Sequence, residues 1–124
     1  KAMNRKRILV AGGGGFIGGE LVKVLVARGH DVVASDIKPF SEWYQLSEGA
    51  DNEKANMEEA HECFRLIDGC DEVYNLACNM GGMGFIENNK SLCMLSVLIN
   101  THMMMAARHH GVKKYFYSSS ACIY

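Results

Sequence analysis

Apolar side chains along this chain follow two rhythms. Short unbroken runs appear first: Ile8, Leu9, Val10 and Ala11 lead directly into four glycines. A run of that kind suits a strand covered on both faces, as in a parallel sheet. Val32, Val33 and Ala34 repeat the pattern within Asp31 to Asp36. Glu72 to Ala77 and Lys114 to Ser118 supply two further strands. Between the runs the spacing changes to that of a helix. From Phe16 to Arg28 the residues Ile17, Leu21, Val24, Leu25 and Ala27 share a face, and Gly29 ends it. A charged amphipathic helix is predicted from Met57 to Ile67 before Gly69, and a long one from Glu87 to His110 before Gly111. Residues Ile37 to Ala50, with Pro39, Trp43, Tyr44 and Gly49, keep no period and read as a loop. Strands alternating with helices predict an α/β fold, a Rossmann-type doubly wound parallel sheet that takes ligands at the carboxyl ends of its strands.

Composition narrows the function more than the fold. A hydrophobic fraction of 48% against 22% charged residues allows a packed core over the 124 residues. Thirteen basic and fourteen acidic residues form no basic stripe, which argues against nucleic acid as a partner. No run approaches the roughly 18 apolar residues of a membrane span, and Lys1 to Arg7 enter the first strand without an apolar leader, so a cytoplasmic protein is expected. Cys63, Cys70, Cys78, Cys93 and Cys122 are odd in number and lack CxxC spacing. They read as reduced thiols, with neither a disulfide framework nor a zinc site.

The candidate chemistry sits at the strand ends. Gly12, Gly15 and Gly18 stand three apart between the first strand and the first helix, and Gly13 with Gly15 fits a second glycine register. In either register, glycines let the amides that open the helix at Phe16 and Ile17 face a pyrophosphate. Asp36 ends the second strand, where a carboxylate can hold the adenosine ribose hydroxyls and repel a 2′-phosphate, favouring NAD over NADP. The alternatives are that Asp36 caps the strand end or pairs with Lys38, a cation that keeps NADP open. Asn75, Leu76, Ala77 and Cys78 lead into a loop with Met80, Gly81, Gly82, Met83, Gly84 and Phe85, which by position faces the cofactor or is a plain connection. The last strand delivers Ser118, Ser119, Ser120 and Cys122 to the same edge, as hydrogen-bonding and proton-transfer groups or as ordinary strand-end residues. His109 and His110 suit the negative end of the long helix. Met103, Met104 and Met105 read as helix packing.

Taken together, GGGGFIGG, the acid in ASDIKP, NLACNMGGMGF and YSSSACIY resemble the extended short-chain dehydrogenase/reductase family, over about Lys6 to Tyr124. The likeness is nearest to its nucleotide-sugar epimerases that act on C3 and C5 of GDP-mannose. It implies a tightly held NAD at Gly12, Gly15, Phe16, Ile17, Gly18, Asp36, Leu76, Ala77 and Ser118. It also implies a nucleotide-sugar substrate beside Gly82, Met83 and Ser120, with Ser120 and Cys122 as catalytic residues and no metal. Asn56 and Met57 stand where close relatives have an Asp-Leu pair near the adenine, Asn79 where they have aspartate, and Leu95 with Ser96 where they have two asparagines. A homodimer through the long helix is also implied. The family's Tyr-x-x-x-Lys pair would fall after Tyr124, so residues 1–124 are expected to be the N-terminal NAD-binding part of a larger domain, inactive alone. Two other readings share these residues: a 4-epimerase or 4,6-dehydratase with Cys122 as packing, and a non-catalytic NAD-binding module.

Overall fold

A computed structural model describes residues 5–77 and 89–118, with backbone alone at 89–93, 95 and 96. Its five strands are β1 (Arg7–Ala11), β2 (Asp31–Asp36), β3 (Asp51–Lys54), β4 (Glu72–Asn75) and β5 (Lys114–Tyr117). They form one sheet in the order β3-β2-β1-β4-β5, and every pairing is parallel. The order reverses between β1 and β4, where doubly wound sheets open a crevice for ligands.

Among the described residues three helices cover the sheet: α1 (Phe16–Ala27), α2 (Ala60–Ile67) and α3 (Asn89–His109). Strand alternation divides the core between them. Ile8 and Val10 of β1 join Val32 and Ala34 of β2 beneath Val22 and Leu25 of α1. Leu9, Ala11, Val33 and Val73 face the other way, against Cys63, Leu66 and Ile67 of α2 and Ile99, Met103 and Ala106 of α3. The central strands are therefore buried on both sides, which is why they read as unbroken apolar runs.

Three expectations need correcting. The sequence pattern offers no strand at 51–54, yet Asp51 to Lys54 pair in register with Val33 to Asp36. β3 is an edge strand with half-exposed and exposed side chains, so charges suit it and no apolar signal marks it. The second helix starts at Ala60 rather than Met57, because the Asn56 side chain takes the Glu58 N–H at 2.9 Å and holds a turn ahead of it. Of the three methionines, only Met103 is packed. Met104 and Met105 are 52% and 57% exposed and continue an outward apolar stripe begun by Met94, Val97 and Leu98.

The segment read as a formless loop is docked. Trp43 follows a single 3-10 turn, Phe40–Glu42, and sinks into the α1-side core while its indole N–H donates to the Lys38 carbonyl at 2.9 Å. The Tyr44 N–H donates to the Gly14 carbonyl at 2.8 Å. The Tyr44 ring meets Phe16 edge-to-face at 4.8 Å. Loop 37–50 thus braces the glycine turn.

Candidate cofactor site

β1 ends at Ala11, and the chain turns into α1 over Gly12 to Gly15. The Gly12 and Gly13 amides both donate to the Ser35 carbonyl, at 2.7 and 2.9 Å, tying the turn to β2. Gly12 has φ +88°, and a Cβ there would lie 2.6 Å from the Leu76 backbone. A Cβ on Gly18 would run into the Gly12 carbonyl oxygen. Both glycines are therefore demanded by the packing of the turn itself.

Gly15 differs. Its backbone is extended, at φ −84° and ψ 176°, and a Cβ would meet only the Gly12 carbonyl oxygen, at an ordinary 3.6 Å. The fold would accept a side chain there. As residue preceding α1, Gly15 offers no capping side chain, and the first turn holds no acid. Helix geometry leaves the amides of Phe16, Ile17 and Gly18 without an intrahelical acceptor, since the first such bond runs from Gly19 to the Gly15 carbonyl. Among the described residues the positive end of α1 is thus bare of competing protein groups, an arrangement suited to an anion.

Asp36 stands beside this turn. One carboxylate oxygen accepts the Gly14 N–H at 3.0 Å and the other accepts the Lys38 N–H at 3.1 Å. The side chain is half-buried and fixed in orientation, and each oxygen keeps a lone pair for a further donor. The Lys38 ammonium reaches the Gly14 carbonyl, at 3.4 Å. The alternative of a strand-end cap is realised through the Lys38 amide.

From the turn a crevice runs across the carboxyl ends of four strands. Gly12 and Ala77 stand side by side after β1 and β4, Ser35, Asp36 and Ile37 come from the end of β2, Ala55, Asn56 and Met57 follow β3, and Ile99 of α3 completes the lining. Among the described residues, the Ser35 hydroxyl has no hydrogen-bond partner although the residue is fully buried. The uncapped start of α1 and the oriented Asp36 carboxylate beside it fit the pyrophosphate and ribose of a dinucleotide. Ile37 and Ala55 escaped the sequence reading because they adjoin β3, whose polar sequence hides it. Trp43 and Tyr44 escaped it because nothing in their spacing shows that they reach Gly14.

Leu76 and Ala77, expected at the cofactor, stand at the mouth of the β1/β4 reversal and are held there by a buried polar network. Asn75 is fully buried, its Oδ1 accepts the Ala77 N–H at 3.1 Å, and its Nδ2 donates to the Tyr115 hydroxyl at 3.1 Å. That hydroxyl donates in turn to Asn100 Oδ1 of α3. Burial pushes the Tyr115 hydroxyl up to about 12, so it stays a neutral donor. Ser118 continues the ladder, its amide donating to the Asn75 carbonyl at 3.2 Å. Gly82, Met83, Ser120 and Cys122 lie outside the described residues. The buried thiols of Cys63 and Cys70 are pushed up to about 12 and about 11 by desolvation, which makes them inert packing groups.

The chain matches a known family model over residues 8–124, that of the NAD dependent epimerase/dehydratase family. The chain belongs to that family. Its cofactor is NAD. Among curated relatives, GDP-mannose 3,5-epimerase 1 of Oryza sativa subsp. japonica is 40% identical over 119 residues. That alignment covers 95% of this chain and 32% of the relative, so the chain spans about a third of the length of the curated relatives it matches. Among solved structures, UDP-glucose 4-epimerase of Thermotoga maritima superposes with a TM-score of 0.76 at 22% identity, covering 90% of this chain and 37% of that one. A uronate dehydrogenase variant of Agrobacterium tumefaciens complexed with NAD gives 0.71 at 19%, over 92% and 40%. At these identities the likeness is one of fold.

Proposed function

We propose that this chain is the NAD-binding part of a nucleotide-sugar epimerase acting at C3 and C5 of GDP-mannose. The observation that carries the cofactor half is the uncapped start of α1, left open at Gly15 and flanked by the oriented Asp36 carboxylate. The substrate half is supported by the 40% identity to the rice enzyme, and the resemblance of NLACNMGGMGF and YSSSACIY to that family suggests Gly82, Met83, Ser120 and Cys122 for the substrate and catalytic positions.

In this reading the amides of Phe16, Ile17 and Gly18 hold the pyrophosphate, and Asp36 holds the adenosine ribose. Bound NAD supplies a reversible hydride acceptor for C4 of the hexose. Ser120 hydrogen-bonds the C4 oxygen, and Cys122 exchanges a proton at a carbon next to the transient ketone. Protein carrying this chain, incubated with GDP-mannose in D2O, is expected to place solvent deuterium at C3 and C5, as read by mass spectrometry and NMR. GDP-mannose recovered without label at either carbon contradicts the substrate assignment. Unlabelled product inverted at C4 would move the chain to the 4-epimerising members of the family.

Cofactor choice follows from charge. A carboxylate at the ribose accepts hydrogen bonds from the 2′- and 3′-hydroxyls and repels a 2′-phosphate, with charged hydrogen bonds contributing about 1.5–3 kcal/mol. NAD is therefore expected to bind at least roughly tenfold more tightly than NADP, and Asp36→Asn to shrink that preference to within about threefold. Calorimetric titration of both dinucleotides reads the ratio. An unchanged preference in the variant removes Asp36 from the ribose.

A further inference from the structure

We propose that Trp43 is a positioning residue for the cofactor: its indole fixes the Asp36 carboxylate by way of Lys38 and Gly14, and so sets the preference for NAD over NADP. This rests on the assignment of Asp36 to the ribose and adds the residue that aims it.

Trp43 is buried, although Phe40, Tyr44 and Leu46 around it in the same segment are exposed. Pro39 turns the chain after Lys38, and its carbonyl accepts the Glu42 N–H at 2.9 Å, closing the 3-10 turn that carries the indole back towards the sheet. The ring enters the apolar layer between α1 and the central strands. Burial leaves its N–H in need of an acceptor, and the Lys38 carbonyl supplies one at 2.9 Å. That bond pins the Lys38 backbone to the core.

From Lys38 the links run to the carboxylate. The Lys38 N–H donates to one Asp36 oxygen at 3.1 Å, and the Gly14 N–H donates to the other at 3.0 Å. A Cβ on Gly14 would lie 2.9 Å from both the indole ring and an Asp36 oxygen, so ring and carboxylate close on the same glycine. The amide of Tyr44, next along the chain from Trp43, donates to the Gly14 carbonyl at 2.8 Å and completes the circuit. Asp36 is only half-buried, and a carboxylate in that setting samples several rotamers unless its neighbours hold it. Holding it beforehand spares a ligand the cost of ordering it. Among the described residues Trp43 does not itself line the crevice, so its influence on a dinucleotide passes through Asp36 and the turn.

The test titrates the wild-type protein and Trp43→Phe with NAD and with NADP in a calorimeter, with thermal unfolding as the check on folding. Phenylalanine keeps an aromatic ring in the core and removes the indole donor. The roughly tenfold or greater preference for NAD is expected to fall to within about threefold, because the carboxylate that discriminates is no longer held. A ring that only packs would weaken both dinucleotides by one factor, since both carry the same pyrophosphate, so an unchanged ratio overturns the proposal while the cofactor reading stands. Should the variant unfold, 15N-labelled wild-type protein decides. Trp43 is the single tryptophan among the 124 residues, and its indole N–H resonance should move on the NAD binding curve yet stay in place when NAD binds Asp36→Asn. A resonance unmoved in the wild type, or moving equally in both proteins, overturns the proposal as well. A wild type that binds neither dinucleotide, or both alike, would overturn the Asp36 assignment and this inference with it.

Discussion

Gly12→Ala is expected to destabilise the fold by roughly 3 kcal/mol or more, whereas Gly15→Ala, three residues on, should cost under about 1 kcal/mol and instead lose NAD. At Gly12 two penalties combine. An L side chain at φ +88° costs about 1–2 kcal/mol. Its Cβ would also press on the Leu76 backbone at 2.6 Å, which must move and typically adds about 1–3 kcal/mol. Neither penalty applies to Gly15, which sits in ordinary extended backbone with free space around the missing Cβ. A methyl group there intrudes only on whatever lies against the start of α1. Urea unfolding should place Gly12→Ala far below wild type with Gly15→Ala close to it. NAD titration should then show Gly15→Ala binding at least about tenfold more weakly despite its intact fold. If Gly15→Ala keeps full NAD affinity, the open end of α1 is not the pyrophosphate site.

The second large effect is expected at Asn75. Replacing it with leucine removes the acceptor of the Ala77 N–H and the donor to Tyr115 in one step. It does so at a fully buried position beside the reversal of the sheet. Unpaired buried groups cost about 1–3 kcal/mol each, so Asn75→Leu should lose roughly 3 kcal/mol in chemical unfolding. Tyr115→Phe makes the informative partner. It removes one hydroxyl, but Asn75 Nδ2 already lies 3.5 Å from Asn100 Oδ1 and can close on it. Its loss should be nearer 1 kcal/mol. Equal losses for the two variants would contradict the linking role given to Asn75.

The contrast between β1 and β3 explains how much of this protein was legible in its sequence. β1 and β2 sit at the centre of the sheet, so burial on both faces writes itself as Ile-Leu-Val-Ala and Val-Val-Ala. β3 is held by backbone pairing at the edge and reads Asp-Asn-Glu-Lys, a sequence that spacing alone assigns to a loop. The same split runs through the site. Gly12, Gly18 and Asp36 were visible because backbone strain, close packing and charge leave a mark on residue type. Ile37 and Ala55 owe their place to the end of a hidden strand. Asn56 and Met57 were noticed only as departures from relatives, without the crevice that gives them meaning. Trp43 shows the opposite failure, since a docked bracing loop looks irregular when its partner, Gly14, is 29 residues away along the chain.

The central claim, that backbone amides at the opening of α1 receive the pyrophosphate of NAD beside Asp36, is tested most directly by following amide resonances of 15N-labelled protein during NAD titration. The amides of Phe16, Ile17 and Gly18 should shift together and saturate at one dissociation constant, with those of Asp36, Ile37 and Asn56 moving on the same curve. Saturable binding that leaves the Phe16, Ile17 and Gly18 amides unmoved, or no binding at all, would contradict it.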